Sequence, residues 1–505
     1  MRIAFGPSCR TAITGLLSVA LLLAPGGCSS SSTPADATVD VPPDAGLDLP
    51  GPPDAAVDTG SDGSSGDMDP KLLGHAHQAA RWIEANARGD GGVAWWDEYV
   101  GVPAWDGAVA HPVSLYSGVA GIALFLKKIG DATGDAQHSQ AAQAAVKHLA
   151  ATAIKTADGY YWENEVELKS GQIITYDSKG LYDGAAGIGY ALLMLGQQPD
   201  ETTCQELAKG AASWIMAQAT RSGGCSWTYG QTDIIAGNAG IILFLIEMHR
   251  VTGDKKHLDD ASCAADWLLA QGTKEGDALY WHSMQGSTSI YTGMSHGVAG
   301  VSYALASLYE ATKQVKYLDA AKAGAKWLQA EAVCDQLGCR WYHDKPDATD
   351  MFQTGWCHGV SGTARLLLLL ERLTGDAAYL TLAQEGARWV MQVADPALAA
   401  PEFWGLSFCC GAASVGEFFL DLFGKTGKQQ YLQFAHKVAD YLIAQGKQDS
   451  GGMKWTNYDY PDSTGRIWYG TGLKLGAAGV GWFLLRLAQS GSSTKDWPVI
   501  PDERL

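Results

Sequence analysis

Three cysteines on two recurring glycine turns carry the strongest chemical signal in this chain. They lie in Trp356-Cys357-His358-Gly359 and Phe408-Cys409-Cys410-Gly411, with Ser295-His296-Gly297 one turn upstream. Three thiolates gathered at one point suit a tetrahedral zinc ion whose fourth position is open to water or a substrate thiol. The same residues also admit a disulfide from Cys357 to Cys409 or Cys410, or buried cysteines acting as small hydrophobes, and spacing alone leaves these readings open. His296 is of the type that carries a proton near neutral pH, or is a hydrogen-bonded structural histidine. Asp233, four residues before Gly237, could orient His296 or take a substrate proton; the commoner role for such an Asp is a helix N-cap. His358 reads as a further proton carrier or as a group supporting the metal ligands.

The elements that must bring these residues together are repeats. A Gly-x-x-Gly step followed by an apolar run occurs at Gly118/Gly121, Gly184/Gly187, Gly237/Gly240, Gly297/Gly300, Gly359/Gly362 and Gly476/Gly479, with Gly411/Ser414 as a degenerate seventh copy. It alternates with an aromatic-apolar pair closing an amphipathic segment: Trp82-Ile83, His148-Leu149, Trp214-Ile215, Trp267-Leu268, Trp327-Leu328, Trp389-Val390 and Tyr441-Leu442. A tryptophan follows each pair, as Trp95, Trp162, Trp227, Trp281, Trp341, Trp404 and Trp455. Stripes such as Leu258-Ala261-Ala265-Leu268 have the period of a surface helix. The Gly-turn runs, such as Leu366 to Leu370, are apolar all round and require burial on every side. One coating helix and one buried helix, seven times, predict an all-α (α/α)7 toroid of helical hairpins, with an open superhelical solenoid as the rival. The turns then face one end of the ring, where helix N-termini favour anions and thiolates. Chemistry concentrates on the middle turns, and the last, at Leu475, is bland.

The N-terminal region has another character. Arg2 and Arg10, the apolar run Leu16 to Ala24 and the following Cys28 read as a lipoprotein-type signal over residues 1–28, acylated at Cys28, or as an ordinary cleaved signal with a chance cysteine. Residues 29–70 hold nine aspartates and no Lys or Arg among Ser, Pro, Ala and Gly, the composition of a disordered acidic linker. That linker supplies half of the net charge of −18, and the remaining mildly acidic surface argues against nucleic-acid binding. The globular domain is expected over 71–490 and a C-terminal tail over 491–505. This organisation predicts an exported bacterial lipoprotein, periplasmic or at the cell surface, whose membrane contact is its lipid anchor. Among the other cysteines, Cys334 and Cys339 flank a short loop and are expected to pair, while Cys204, Cys225 and Cys263 leave an odd thiol.

Taken together, Asp233-x-x-x-Gly237-x-x-Gly240, Ser295-His296-Gly297, Trp356-Cys357-x-Gly359 and Cys409-Cys410-Gly411, with the seven turns, resemble the lanthionine synthetase C-like family over about 72–488. The resemblance implies one Zn²⁺ per chain, held by Cys357, Cys409 and Cys410. It implies addition of a peptide or small-molecule thiol to a dehydroamino acid, forming a thioether, with His296 and Asp233 handling protons. Three positions depart from the common family pattern. Cys410 stands where most members have His, which resembles a three-cysteine subgroup; Gln353 replaces an Arg, and His358 replaces a Tyr. With Trp356, Gln353 and His358 are candidates for supporting the site or contacting substrate.

Two further function classes fit the same fold. A carbohydrate-active toroid would use the loop tryptophans to stack on sugars, and Asp183 and Asp233 as its two carboxylates about 5–9 Å apart. A non-catalytic surface binding protein would keep a relict zinc site.

Overall fold

The computed structural model describes residues 68–90, 92–100, 109–168, 170–196, 201–227, 230–345, 352–393, 405–456, 468–490 and 500. The chain divides at Ser61/Asp62, and all described residues belong to the second unit. The signal segment with Cys28, nearly all of the acidic linker, Trp404 and all of the tail but Ile500 lie outside the described residues.

Fourteen helices occur among the described residues: α1 Pro70–Ala85, α2 Val119–Thr133, α3 Ala136–Thr152, α4 Ala185–Leu195, α5 Glu201–Ala217, α6 Asn238–Thr252, α7 Lys256–Gln271, α8 Val298–Thr312, α9 Val315–Glu331, α10 Val360–Thr374, α11 Ala377–Val393, α12 Ala412–Thr426, α13 Gln429–Gln445 and α14 Ala477–Ala488. The even-numbered helices are the Gly-turn helices. Each touches the next, and α14 returns to α2, so they form a closed inner ring. The odd-numbered helices coat it, and the toroid expected from the apolar periodicity is the observed fold.

The pairing has a twist that the repeat signatures conceal. From α2 to α13 each inner helix forms a hairpin with the outer helix that follows it, but α14 has no successor and packs on α1. The N-terminal helix thus completes the last hairpin. Asp69 caps α1 by accepting from Lys71 N and Leu72 N, while its own N–H donates to Ala488 O at 3.0 Å.

Glycine is demanded by how the loops cap the inner helices. Gln353 O accepts from Val360 N at 3.2 Å, and a Cβ at Gly359 would lie 2.5 Å from that carbonyl. At Gly362 a Cβ would lie 1.9 Å from Trp356 O and 2.8 Å from Met294 of the preceding repeat. Ser414 escapes this rule because its hydroxyl has work: it donates to Gly411 O at 2.8 Å and accepts from Trp356 N at 3.1 Å.

The recurring tryptophans cap the outer helices. The indole N–H of Trp96, Trp162, Trp281, Trp341 and Trp455 donates to the carbonyl thirteen residues earlier, at 2.7–2.8 Å, and Trp227 to Ile215 O at 2.6 Å. Each bond satisfies a carbonyl that an α-helix leaves orphaned at its C-terminus. In the first repeat the residue in register is Trp96, rather than the Trp95 expected from sequence; Trp95 instead stacks on His148 at 5.3 Å.

Short antiparallel strands, invisible to the helical period, follow the outer helices. One pairs Val333–Asp335 with Gly338–Arg340, where the Cys334–Cys339 disulfide joins cross-strand partners as expected. A second disulfide, Cys225–Cys263, resolves two of the three remaining cysteines and leaves Cys204 buried on α5.

Candidate active site

The residues two positions before the first Gly of each turn are Tyr116, Tyr182, Ile235, Ser295, Cys357, Cys409 and Lys474. Their backbones form a circle of N–H to O=C bonds. Tyr116 donates to Tyr182, Tyr182 to Ile235, Ile234 to Ser295, Ser295 to Cys357, Cys357 to Cys409, Cys409 to Lys474 and Lys474 to Tyr116, at 2.8–3.2 Å. The circle fixes seven side chains at one end of the ring. It also shows what the turns spend their donors on. The first helical N–H groups go to loop carbonyls, as at Val119, Ala185, Asn238, Val360 and Ala412, so any electrostatic bias from the helix ends acts without those donors.

The circle brings the three cysteines together. The sulfurs of Cys357, Cys409 and Cys410 all lie within 4.8 Å of one another. Cys357 and Cys409 are joined as a disulfide, and Cys410 Sγ is 3.3 Å from Cys409 Sγ. These three sulfurs, two of them joined in the disulfide, could, once reduced, serve as metal ligands. Reduced, they would offer three soft donors, from the buried Cys357 and Cys409 and the half-buried Cys410. Tyr116 O–H donates to Cys409 Sγ at 2.8 Å, an interaction that favours a sulfur carrying charge, because neutral sulfur is a weak acceptor.

Lys474 was not legible as a site residue. Its ammonium is fully buried and sits over the rings of Trp356 at 3.8 Å, Phe408 at 4.7 Å and Tyr182 at 4.9 Å. Trp356 and Phe408 immediately precede Cys357 and Cys409, so a positive charge is held against the two cysteine turns. The signal was the register itself: Lys474 occupies on the last turn the place that Cys357 and Cys409 occupy on theirs.

Asp233 and His296 meet as expected. His296 Nδ1 lies 2.6 Å from Asp233 Oδ2, which leaves Nε2 for a substrate. Asp233 Oδ1 accepts from Ala236 N at 2.9 Å and Gly237 N at 3.0 Å, so Asp233 is also the turn cap. Burial disfavours charge on His296, but the attraction and hydrogen bond of Asp233, aided by Asp183, outweigh it and raise its pKa. Asp183 is pushed up to about 7, chiefly by desolvation, with a hydrogen bond from Ser178 opposing and the charge of Asp233 adding to it.

His358 is buried, and burial first, then His343 and His296, hold its pKa well below the usual value. It packs at a tilt in a cluster that sequence reading missed, with His343 at 4.0 Å and Tyr291 at 5.3 Å, while its Nε2 lies 3.4 Å from Ser295 Oγ. A neutral, desolvated His358 is a poor acid. Gln353 caps α10 through its carbonyl, and Trp356 is fully buried, which makes its ring a wall of the Lys474 cage.

The family model for lanthionine synthetase C-like proteins matches residues 109–501. The chain belongs to the lanthionine synthetase C-like family. Among solved structures, the LanC-like fold is shared with nisin cyclase, at 16% identity and a TM-score of 0.55, covering 83% of this chain and 94% of that one. A family 76 glycoside hydrolase (mannosidase) from Bacteroides thetaiotaomicron aligns at 12% identity and a TM-score of 0.44, over 83% of this chain and 98% of that chain. No curated protein sequence matches this LanC-like chain.

Proposed function

We propose that this LanC-like protein is a zinc enzyme that adds a thiol across the carbon–carbon double bond of a dehydroamino acid or similar electrophile, in a peptide or small substrate. The observation that carries the reading is the meeting of Cys357, Cys409 and Cys410 within 4.8 Å, with the Cys357 turn bonded directly to that of His296. Cys357, Cys409 and Cys410 would hold the ion, and when bound it would keep a substrate thiol as thiolate at neutral pH.

The chain's own residues supply the rest. Tyr116 and Lys474 stabilise negative charge at the sulfurs. Asp233 fixes the tautomer and direction of His296, whose raised pKa suits it to donate a proton. In the net reaction a C–S bond forms at the β-carbon, the π bond breaks, and the α-carbon gains a proton from His296 Nε2. The thiol's own proton returns to His296, directly or through water.

The test starts from reduced full-length protein and counts zinc. One zinc held by the cysteines, lost in Cys409→Ala, is expected. With zinc present, a dehydroalanine peptide and a thiol should give a thioether product, and His296→Ala should not. Reduced protein with no cysteine-bound zinc sinks the reading; zinc-loaded protein without addition leaves the binding-protein reading. The sugar-binding reading weakens, because Trp162, Trp227, Trp281, Trp341 and Trp455 are buried helix caps and, of the described recurring tryptophans, Trp95 alone is half-buried. We further propose export and acylation at Cys28, tested by fatty-acid labelling that Cys28→Ser abolishes.

A further inference from the structure

A second group of metal-ligand type lies away from the cysteines, on the outer face of the ring. His77 on α1, and Asp135 and His138 at the start of α3, have ligand atoms all within 4.8 Å of one another. His77 Nε2 is 3.1 Å from Asp135 Oδ2, His138 Nε2 is 3.9 Å from the same oxygen, and the two imidazoles meet edge to face at 4.6 Å. His138 is fully buried, and its Nε2 has no hydrogen-bond partner among the described residues. Its other nitrogen, Nδ1, is held by Glu84, whose second oxygen accepts from Gln137 Nε2 at 2.9 Å. A carboxylate on the far nitrogen of a histidine sets the tautomer that a metal ligand needs.

The repeats show that the fold does not require this set. The Asp N-cap recurs as Asp254 and Asp376, and the aromatic three residues on recurs as His257, Tyr317, Tyr379 and Tyr431. Five residues before the aromatic-apolar pair, however, Gln143, Lys209, Ser262, Lys322 and Gln384 stand where α1 has His77; α13 has His436 there, but its seam is with α1, where Leu72 stands in the place of His138. Two residues after the first member of the pair, Ala150, Met216, Leu269, Gln329, Met391 and Ile443 stand where α1 has Glu84. The seam between α5 and α7 is the closest control. It keeps Asp254 and His257, but Lys209 lines the same pocket and fills the place of the third ligand with a positive charge. Among these seams, that of α1 and α3 alone combines two histidines, an aspartate and an orienting glutamate.

We propose that His77, Asp135 and His138 form a second divalent transition-metal site, with Glu84 orienting His138 and a fourth position left to water. Two imidazoles and a carboxylate suit Zn²⁺ and its neighbours rather than Ca²⁺ or Mg²⁺. The site joins α1, which closes the ring, to α3, so the ion would fasten the ring at its seam. It does not depend on the cysteine centre.

The experiment compares reduced, tag-free full-length protein with His77→Ala and Asp135→Asn, after zinc loading and dialysis. Both residues are only half-buried, and Asn preserves the N-cap, so both variants should fold where His138→Gln could fail. The wild type should hold one more zinc per chain than either variant, and added zinc should raise its melting temperature more. Cobalt should give d–d absorption without thiolate charge transfer at this site, lost in His77→Ala. Equal zinc in all three proteins overturns the proposal. If the cysteine centre fails to bind, the change reads one to zero rather than two to one, so the two readings fail separately.

Discussion

Asp233 divides its carboxylate between fold and chemistry: Oδ2 holds His296 Nδ1 at 2.6 Å, while Oδ1 holds the turn through Ala236 N and Gly237 N. The capping contact and the contact with His296 weighed for this residue are both present, one oxygen each. Asp233→Asn can still cap, but it presents no charge to His296. Thiol addition should therefore fall by about 100-fold or more in Asp233→Asn and in His296→Ala, the usual weight of a positioned proton carrier. Zinc content should stay at the wild-type level, since neither residue is a ligand. Loss of zinc in either variant would refute this division of roles.

Lys474→Met separates stability from function. An apolar side chain of similar length keeps the packing among Trp356, Phe408 and Tyr182, so the variant should still fold with a cooperative melting transition. The cysteine cluster loses a nearby positive charge, and zinc affinity should fall by about tenfold, as a ~1.4 kcal/mol loss of charge stabilisation would give. A competition titration with a chelator, beside a melting curve, measures both. Unaltered affinity would reduce Lys474 to a packing role.

Asp183 makes the fold itself sensitive to pH. Its pKa of about 7 lies above the 3.8 of an unstrained carboxyl, so the folded chain keeps a proton that the unfolded chain has lost. Stability from this group is complete below pH 3.8 and declines as pH rises to about 7, levelling off above it. At ~1.4 kcal/mol per unit, the ceiling is about 4 kcal/mol. Asp183→Asn should remove that slope, so denaturation midpoints at pH 5 and pH 8 should draw together. His296 adds a decline of the same sign: its raised pKa stabilises the folded state below the unfolded value and ceases to do so once pH passes the folded one.

Trp281→Phe tests the capping tryptophans. It keeps the ring in the core but loses the indole N–H bond to Leu268 O at 2.8 Å. A loss of about 1–3 kcal/mol is expected for a buried acceptor left unmade, read by denaturant unfolding. The zinc content should not change.

Periodicity carried the architecture, because burial on every side leaves a mark in each inner helix that no surface helix shares. It could not show that α1 packs on α14, since a hairpin read from either end of a ring has the same pattern. The cysteines, His296 and Asp233 were legible because their types are chemically distinct. Lys474, Tyr116 and Asp183 were not singled out for the cysteine centre: a lysine or tyrosine in a loop looks like surface until the circle of backbone bonds places it. Most of the short strands escaped because their ladders run for two or three residues, too few for an alternation to be read.

The bond from Asp69 to Ala488 has one more consequence. A ring closed by its own first helix has no topological end, only a seam where the polypeptide happens to be cut. The coding sequence of the helical domain could be cut in any loop between an outer helix and the next inner one, and the domain's old ends, near Asp69 and Ala488, joined by a short linker. Such a circularly permuted chain would present the same seven turns to the same centre, because the order of repeats around the ring, and not their order of synthesis, places the cysteines.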